Sequence, residues 1–234
     1  MSQEDSDKNM KQRCDREIND LVQRLLYMGM YTERLLKYAT EALFDKNIEL
    51  ARKIKENTFM LGKMAIEIED FIITLLARAP LASDLRLIVM STKISQNLER
   101  IGEESSKIAT RAIEIADRQI PADLDKFKQL SNKVTNMLHL SLEAFEHRNT
   151  ELAKSIVQKD DEVDSLYKEL RNDLEHNMLN NPQDIYVNLN LITIAKRLER
   201  IADHTANIAE EVIYISEAHH FQDKTENQEN DEQQ

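Results

Sequence analysis

Apolar residues recur along most of the chain at the three- and four-residue spacing of an α-helix that buries one face. The last such segment shows the pattern well, with small and apolar side chains on one face at Leu198, Ile201, Ala202, Thr205, Ile208, Ala209 and Val212. The periodicity predicts six long helices, over about residues 13–45, 47–79, 82–118, 122–148, 150–180 and 183–218. The expected fold class is therefore all-α.

Glycine and proline support this division of the chain. The three prolines fall at breaks in the helical periodicity, as expected for residues that end or begin helices: Pro80, Pro121 and Pro182. The three glycines instead lie inside helical segments, where we expect them to let neighbouring helices approach closely: Gly29, Gly62 and Gly102.

The chain contains an internal repeat. The segment LARKI at 50–54 matches LAKSI at 152–156, an offset of 102 residues, and LERIGEESSKIA at 98–109 matches LERIADHTANIA at 198–209, an offset of 100. Repeats of this length, each with three helices, predict two three-helix bundles packed side by side. We expect bundles at 13–119 and 120–220, a mobile N-terminal segment at 1–12 and an acidic, disordered tail at 221–234.

Composition and charge narrow the classes of partner. The formal net charge of −12 disfavours binding to nucleic acid or to an anionic membrane surface, and no apolar run approaches the ~20 residues that span a bilayer. The polar first residues do not resemble a secretory signal, so we expect a cytoplasmic protein that is peripheral to the membrane at most. Cys14 is the single cysteine, which excludes a disulfide within the chain.

Two acidic pairs carry the candidate chemistry. Glu199 and Asp203 lie one turn apart on a flank of the sixth predicted helix, whereas His204 points away from them. Asp160 and Asp164 have the same spacing on the fifth helix. If the two helices are antiparallel neighbours, four carboxylates face one another. A hard cation such as iron, manganese, magnesium or calcium, or less naturally zinc, would relieve their repulsion. The alternative is a solvated helix flank whose acids pair with nearby basic side chains.

The first repeat retains half of this arrangement. Glu99 and Glu103 correspond to the pair on the sixth helix and form a second, weaker candidate. At the offset of 102, however, Thr58 and Gly62 take the places of the two aspartates of the fifth helix. We therefore predict unequal metal loading, with the stronger site in the second bundle.

The sequence resembles the PhoU family of phosphate-specific transport accessory proteins. The resemblance rests on APLASDLRLIV at 79–89, NLERIGEESSKIA at 97–109, KDDEVDSLY at 159–167 and RLERIADHTANIAEEVIY at 197–214. It implies two three-helix bundles and a non-enzymatic negative regulator of phosphate uptake and phosphate-starvation signalling. Such a regulator acts between the ATPase of a phosphate ABC transporter and a sensor histidine kinase. A homodimer is also expected.

The resemblance also implies a multinuclear metal site, with iron or zinc favoured. Its ligand motifs fall on Asp160, Asp164, Glu199 and Asp203, and Asn207 belongs to the same signature. The first repeat departs from the family pattern at Thr58, Gly62, Ala79 and Glu103.

Two other functions compete with this interpretation. One is a metal-dependent enzyme or metal store on a helical bundle, which the flank position of the acids and the lack of paired Glu-x-x-His motifs disfavour. The other is a structural dimerisation module whose acidic residues are merely solvated.

Overall fold

The computed structural model describes the backbone of residues 3–78, 82–120 and 124–231, and the side chains of 14–54, 57–78, 84–120 and 124–217. Over these ranges the structure contains six α-helices: α1 (Gln3–Phe44), α2 (Ile48–Leu76), α3 (Ala82–Ile115), α4 (Asp125–His147), α5 (Thr150–Asn180) and α6 (Ile185–Asp231). A short 3-10 turn, Pro182–Asp184, precedes α6. The all-α prediction is confirmed, and none of the described helices is apolar enough over a sufficient length to cross a membrane.

The helices extend further at both ends of the chain than the sequence predicted. α1 already begins at Gln3, and α6 continues to Asp231 through most of the segment expected to be disordered. Glu, Gln and Lys have high helix propensity, so a lack of apolar residues removes a packing face without interrupting a helix. Pro182 begins the 3-10 turn at a helix boundary, whereas Pro80 and Pro121 lie outside the described residues.

Each half of the chain forms a three-helix bundle around its own apolar side chains. Helices α1, α2 and α3 pack together in the first half, and α4, α5 and α6 in the second. The bundles lie side by side, joined mainly through α3 and α6 with a smaller contact between α1 and α4. Continuous burial of the apolar faces across this junction gives the protein one contiguous core.

The repeat extends to the tight turns between helices. Lys46 and Arg148 both adopt the left-handed conformation, with φ of 53° and 49°. The next residue in each turn is an asparagine that caps the following helix: Asn47 accepts from the Leu50 amide at 3.0 Å, and Asn149 from the Leu152 amide at 3.1 Å. The same turn chemistry therefore begins α2 and α5.

The bundle junction contains two polar contacts that the repeat relates to each other. Arg197 of α6 donates to Glu104 of α3 at 3.0 Å, and His204 of α6 lies 3.1 Å from Asn97 of α3. Since residues 97 and 197 correspond in the repeat, as do 104 and 204, a pseudo-twofold axis exchanges the two contacts. Antiparallel packing of α3 against α6 follows from this pairing.

Glu104 is buried at this junction and is held ionised by its partners. Burial alone would raise the pKa of the Glu104 carboxyl, but Lys107 at 2.9 Å and Arg197 outweigh burial, so the pKa lies below its ordinary value. The junction thus depends on a buried ion pair as well as on apolar contact.

Two of the glycines mark close approaches between helices, as predicted. A Cβ at Gly102 of α3 would overlap the side chain of Leu61 in α2, and one at Gly29 of α1 would overlap Leu142 of α4. Both positions therefore require glycine for packing density and not for a special backbone angle.

A candidate metal centre between α5 and α6

Three carboxylates converge where α5 packs against α6. Asp164 of α5 and both Glu199 and Asp203 of α6 place one carboxylate oxygen each within 4.8 Å of the others. The one-turn spacing of Glu199 and Asp203 keeps both on the side of α6 that faces α5. Within the described residues, this is the one place where three acidic, histidine or cysteine ligand atoms come together in this way.

Glu199 lies deeper than its flank position in the sequence indicated. Its exposed fraction is only 8 %. Its Oε1 accepts from the Lys196 ammonium, whereas its Oε2 is buried and has no hydrogen-bond partner. A buried, unpartnered carboxylate oxygen is costly, and binding to a cation would remove this cost.

Asp160 extends the negative charge by one turn of α5. It is half-buried, and burial together with the charges of Asp203, Asp164, Glu199 and the neighbouring Asp161 raises the pKa of its carboxyl from 3.8 to about 6. The cluster therefore repels the ionised form of Asp160, as the sequence argument expected of an unmetallated group of acids.

Asp203 experiences opposing influences from its surroundings. Burial raises the pKa of its carboxyl, Lys196 and Arg200 lower it, and Asp164 raises it again, with a net increase. An acidic residue of α5 therefore raises the pKa of an acid on α6, and acidic residues of α6 raise the pKa of an acid on α5.

Basic side chains offset only part of this charge. Lys196 lies 5.3 Å from the centre of the Tyr167 ring while it contacts Glu199, and Lys168 approaches Asp164 at 3.5 Å on the exposed side. One oxygen of Glu199 and, at the surface, the carboxylate of Asp164 therefore pair with basic side chains, as the alternative without metal expects. Glu199 Oε2 and the Asp160 carboxyl have no such partner among the described residues.

The residues present fit a hard cation. The donors are all carboxylate oxygens, which suit ions that bind oxygen at about 2.0–2.6 Å. Three oxygens within 4.8 Å of one another can share an ion at such distances. Asn207, also predicted as a ligand, is exposed one turn beyond Asp203 on α6.

The equivalent place in the first bundle is a groove and not an acidic cluster. Glu99 Oε1 lies 3.4 Å from where a Cβ on Gly62 would be, and Glu103 pairs with Arg100 at 2.9 Å. With Thr58 and Gly62 opposite them, these two glutamates line a cavity of about 760 Å³ between α2 and α3. Among the described residues, acidic ligand atoms therefore converge in the second bundle and not in the first, and unequal metal loading stays a prediction.

Sequence reasoning missed two features of the site. The burial of Glu199 depends on how closely α5 approaches α6, and no sequence pattern indicates that distance. The contact from Lys196 was available in principle, because Lys196 precedes Glu199 by three residues and such pairs meet on a helix.

Comparison with known proteins gives a consistent result. The PhoU domain model matches residues 25–112 and again 127–212. A phosphate-specific transport system accessory protein PhoU homolog of Pseudomonas aeruginosa is 36 % identical over 209 residues, which covers 88 % of this chain and 86 % of that protein. The homolog from Aquifex aeolicus is 34 % identical over 203 residues, covering 86 % and 92 %.

Solved structures show the same similarity. The crystal structure of PhoU from Pseudomonas aeruginosa superposes with a TM-score of 0.85 at 36 % identity, covering 87 % of this chain and 99 % of that one. The phosphate transport system regulatory protein PhoU from Streptococcus pneumoniae gives 0.82 at 29 % identity, covering 86 % and 96 %.

Proposed function

This chain belongs to the PhoU family, and on that premise we propose that it is a negative regulator of phosphate uptake and phosphate-starvation signalling. It acts in the cytoplasm as a non-enzymatic adaptor between the ATPase of a phosphate ABC transporter and a sensor histidine kinase. The kinase remains inactive while phosphate is plentiful.

One observation carries the proposal: the family match covers both halves of the chain and reaches relatives named as accessory proteins of phosphate-specific transport. The architecture is compatible with an adaptor. Two bundles that share a fold but differ in surface chemistry offer two faces to two partners.

The proposal is tested in the organism that carries the gene. Disruption of the gene should switch on a phosphate-starvation reporter in phosphate-rich medium, and the intact gene supplied in trans should switch it off. Affinity purification of the tagged protein from phosphate-replete cells should recover the transporter ATPase and the sensor kinase. Recovery of neither partner, together with a silent reporter, would contradict the adaptor role.

We further propose that the second bundle holds a multinuclear metal centre. Asp160, Asp164, Glu199 and Asp203 supply ligands, Asn207 completes the signature, and iron or zinc is the favoured ion. The orphaned oxygen of Glu199 and the raised pKa of Asp160 support this proposal. The metal would neutralise the cluster and fix α5 against α6.

Metal analysis of the purified protein tests this centre. Asp164→Ala and Asp203→Ala should each reduce bound iron or zinc at least tenfold. Asp161→Asn is the matched control, because Asp161 is exposed on the same helix and lies outside the converging group. Glu99→Gln with Glu103→Gln should leave most of the metal in place. Equal metal in both bundles would contradict a centre built from the carboxylates of α5 and α6.

A further inference from the structure

Helix α2 carries a stripe of apolar side chains that the fold leaves uncovered. Phe59, Ile66 and Ile73 are 67 %, 61 % and 59 % exposed and follow one another at intervals of seven residues. Leu76 continues the stripe, and Gly62 lies within it. A seven-residue apolar repeat is the pattern with which one helix packs along another, yet among the described residues no helix covers this one.

The internal repeat shows that the fold does not require apolar residues there. At the offset of 102, the α5 counterparts of Phe59, Ile66 and Ile73 are Asp161, Lys168 and Glu175. These α5 residues are charged; Asp161 and Lys168 are exposed, Glu175 is partly exposed, and their bundle has the same architecture. The apolar stripe is therefore a feature added to the first bundle and not a consequence of its folding.

Phe59 and Ile66 of the stripe form part of one wall of the groove between α2 and α3, and Ile73 continues the stripe beyond the groove along α2. This groove, of about 760 Å³, extends along α2 from Thr58 to Ile72, a length of about 21 Å or four helical turns. The small residues Thr58 and Gly62 keep it open at the point where the second bundle brings its carboxylates together. Its length and open form suit an α-helix laid along it.

The charge of the groove is acidic. Glu69, Glu99 and Glu103 line it, and only Glu103 has an ion-pair partner, Arg100, among the described side chains. The groove's one lysine, Lys63, lies 4.9 Å from the centre of the Phe59 ring. Two unpaired carboxylates beside an apolar wall complement a helix with apolar residues on one face and basic residues beside them.

We propose that this α2–α3 groove binds a basic amphipathic helix of a partner protein. The helix is about four turns long, packs its apolar face on Phe59, Ile66 and Ile73, and places Lys or Arg against Glu69 and Glu99. The groove lies on the bundle that lacks the carboxylate cluster, so the inference rests on the α2–α3 surface and not on the metal centre or the adaptor role.

Two synthetic peptides test the proposal by fluorescence anisotropy. One is an 18-residue peptide of Leu and Lys with Leu at heptad spacing, and the other carries Glu in place of every Lys. The critical variant combines Phe59→Asp with Ile66→Lys, which gives α2 the residues of its repeat counterpart and leaves the net charge unchanged. The control exchanges charges on α5, with Lys168→Glu and Glu175→Lys, and also preserves net charge.

The Lys peptide should bind the full chain and the α5 control equally, and should bind the α2 variant at least tenfold more weakly. The Glu peptide should bind the unaltered chain at least tenfold more weakly than the Lys peptide. Glu69→Lys, an exposed change, should reproduce the loss of Lys-peptide binding and keeps the test decisive if the double variant does not fold, as judged by circular dichroism.

Three results would overturn the proposal. One is that the Lys peptide does not bind the unaltered chain, and another is that it binds the α2 variant without loss. The third comes from sedimentation analysis: a dimer that the α2 substitutions convert to monomer would show that the stripe joins two copies of this chain. The expected homodimer would then have its interface on this stripe.

Discussion

The acidic cluster predicts an unusual response to the removal of one charge. In the absence of metal, burial disfavours the ionised Asp160 carboxylate in the folded state, and the charges of Asp203, Asp164 and Glu199 repel it further; neither effect is present in the unfolded chain. Asp160→Asn keeps the shape of the side chain and removes its charge. We therefore expect the substitution to stabilise the metal-free protein at neutral pH, although most substitutions destabilise.

The raised pKa sets the size and the pH window of this effect. An increase from 3.8 to about 6 is equivalent to about 3 kcal/mol without screening. Since Asp160 is only half-buried, solvent reduces this figure to about 1 kcal/mol. A raised folded-state pKa means that the contribution of Asp160 to stability is present below pH 3.8 and is lost as the pH rises through about 6. The benefit of the Asn variant should therefore be full above pH 7 and small near pH 4.

Urea unfolding in the presence of EDTA measures this directly. The free energy of unfolding of Asp160→Asn and of the unaltered chain is compared at pH 4 and pH 7.5. Glu169→Gln is the control, because Glu169 is exposed on the same helix and is not among the charges that raise the pKa of Asp160. After iron or zinc is restored, the order should reverse at pH 7.5, because the variant lacks a ligand. Equal stability of the metal-free proteins at pH 7.5, or the same gain at pH 4, would refute the electrostatic reasoning.

Three further predictions concern packing, the bundle junction and the two halves of the repeat. Glu104→Gln should lower the free energy of unfolding by about 2 kcal/mol at pH 7, because it breaks a buried ion pair. Since the pKa of the Glu104 carboxyl is lowered in the folded protein, this loss should decrease as the pH falls below 4.5. Urea unfolding of both proteins over a range of pH measures the difference. Gly102→Ala should destabilise the protein by about 1 kcal/mol, because the added methyl overlaps Leu61. Gly62→Ala has room for the methyl and should stabilise the protein by about 0.5–1 kcal/mol through its higher helix propensity. A thermal melt in which Gly102→Ala is the more stable of the two variants would contradict this difference in packing. Thr58→Asp with Gly62→Asp should raise the metal content of the protein above that of the unaltered chain, as measured by elemental analysis.

Most of the fold could be predicted from the sequence. Periodicity and the repeat predicted six helices in two bundles, because an amphipathic helix must bury its apolar face and the few glycines and prolines leave few breaks. The structure at the two ends of the chain was predicted less well. Helix propensity alone continues α6 to Asp231, whereas the prediction of disorder relied on the absence of apolar residues.

The candidate site was only partly accessible. Spacing placed Asp160 with Asp164 and Glu199 with Asp203, but depth depends on how closely two helices pack, so the burial of Glu199 could not be predicted. The same limit applies to α2. A helix with apolar residues on more than one face does not reveal which face the bundle buries, and the exposed stripe at Phe59 became visible only with the neighbouring helices in place.

The pseudo-twofold junction has a consequence for how the two halves of the protein came to differ. If a second half met a copy of itself across this junction, Arg197 would face His204 and no carboxylate would be available. If a first half met itself, Glu104 would face Asn97 and the arginine would be missing. The junction contacts between the two different halves are therefore more favourable than those between two identical halves. Covalent duplication thus gives a molecule of fixed stoichiometry, in which one acidic cluster always accompanies one open groove.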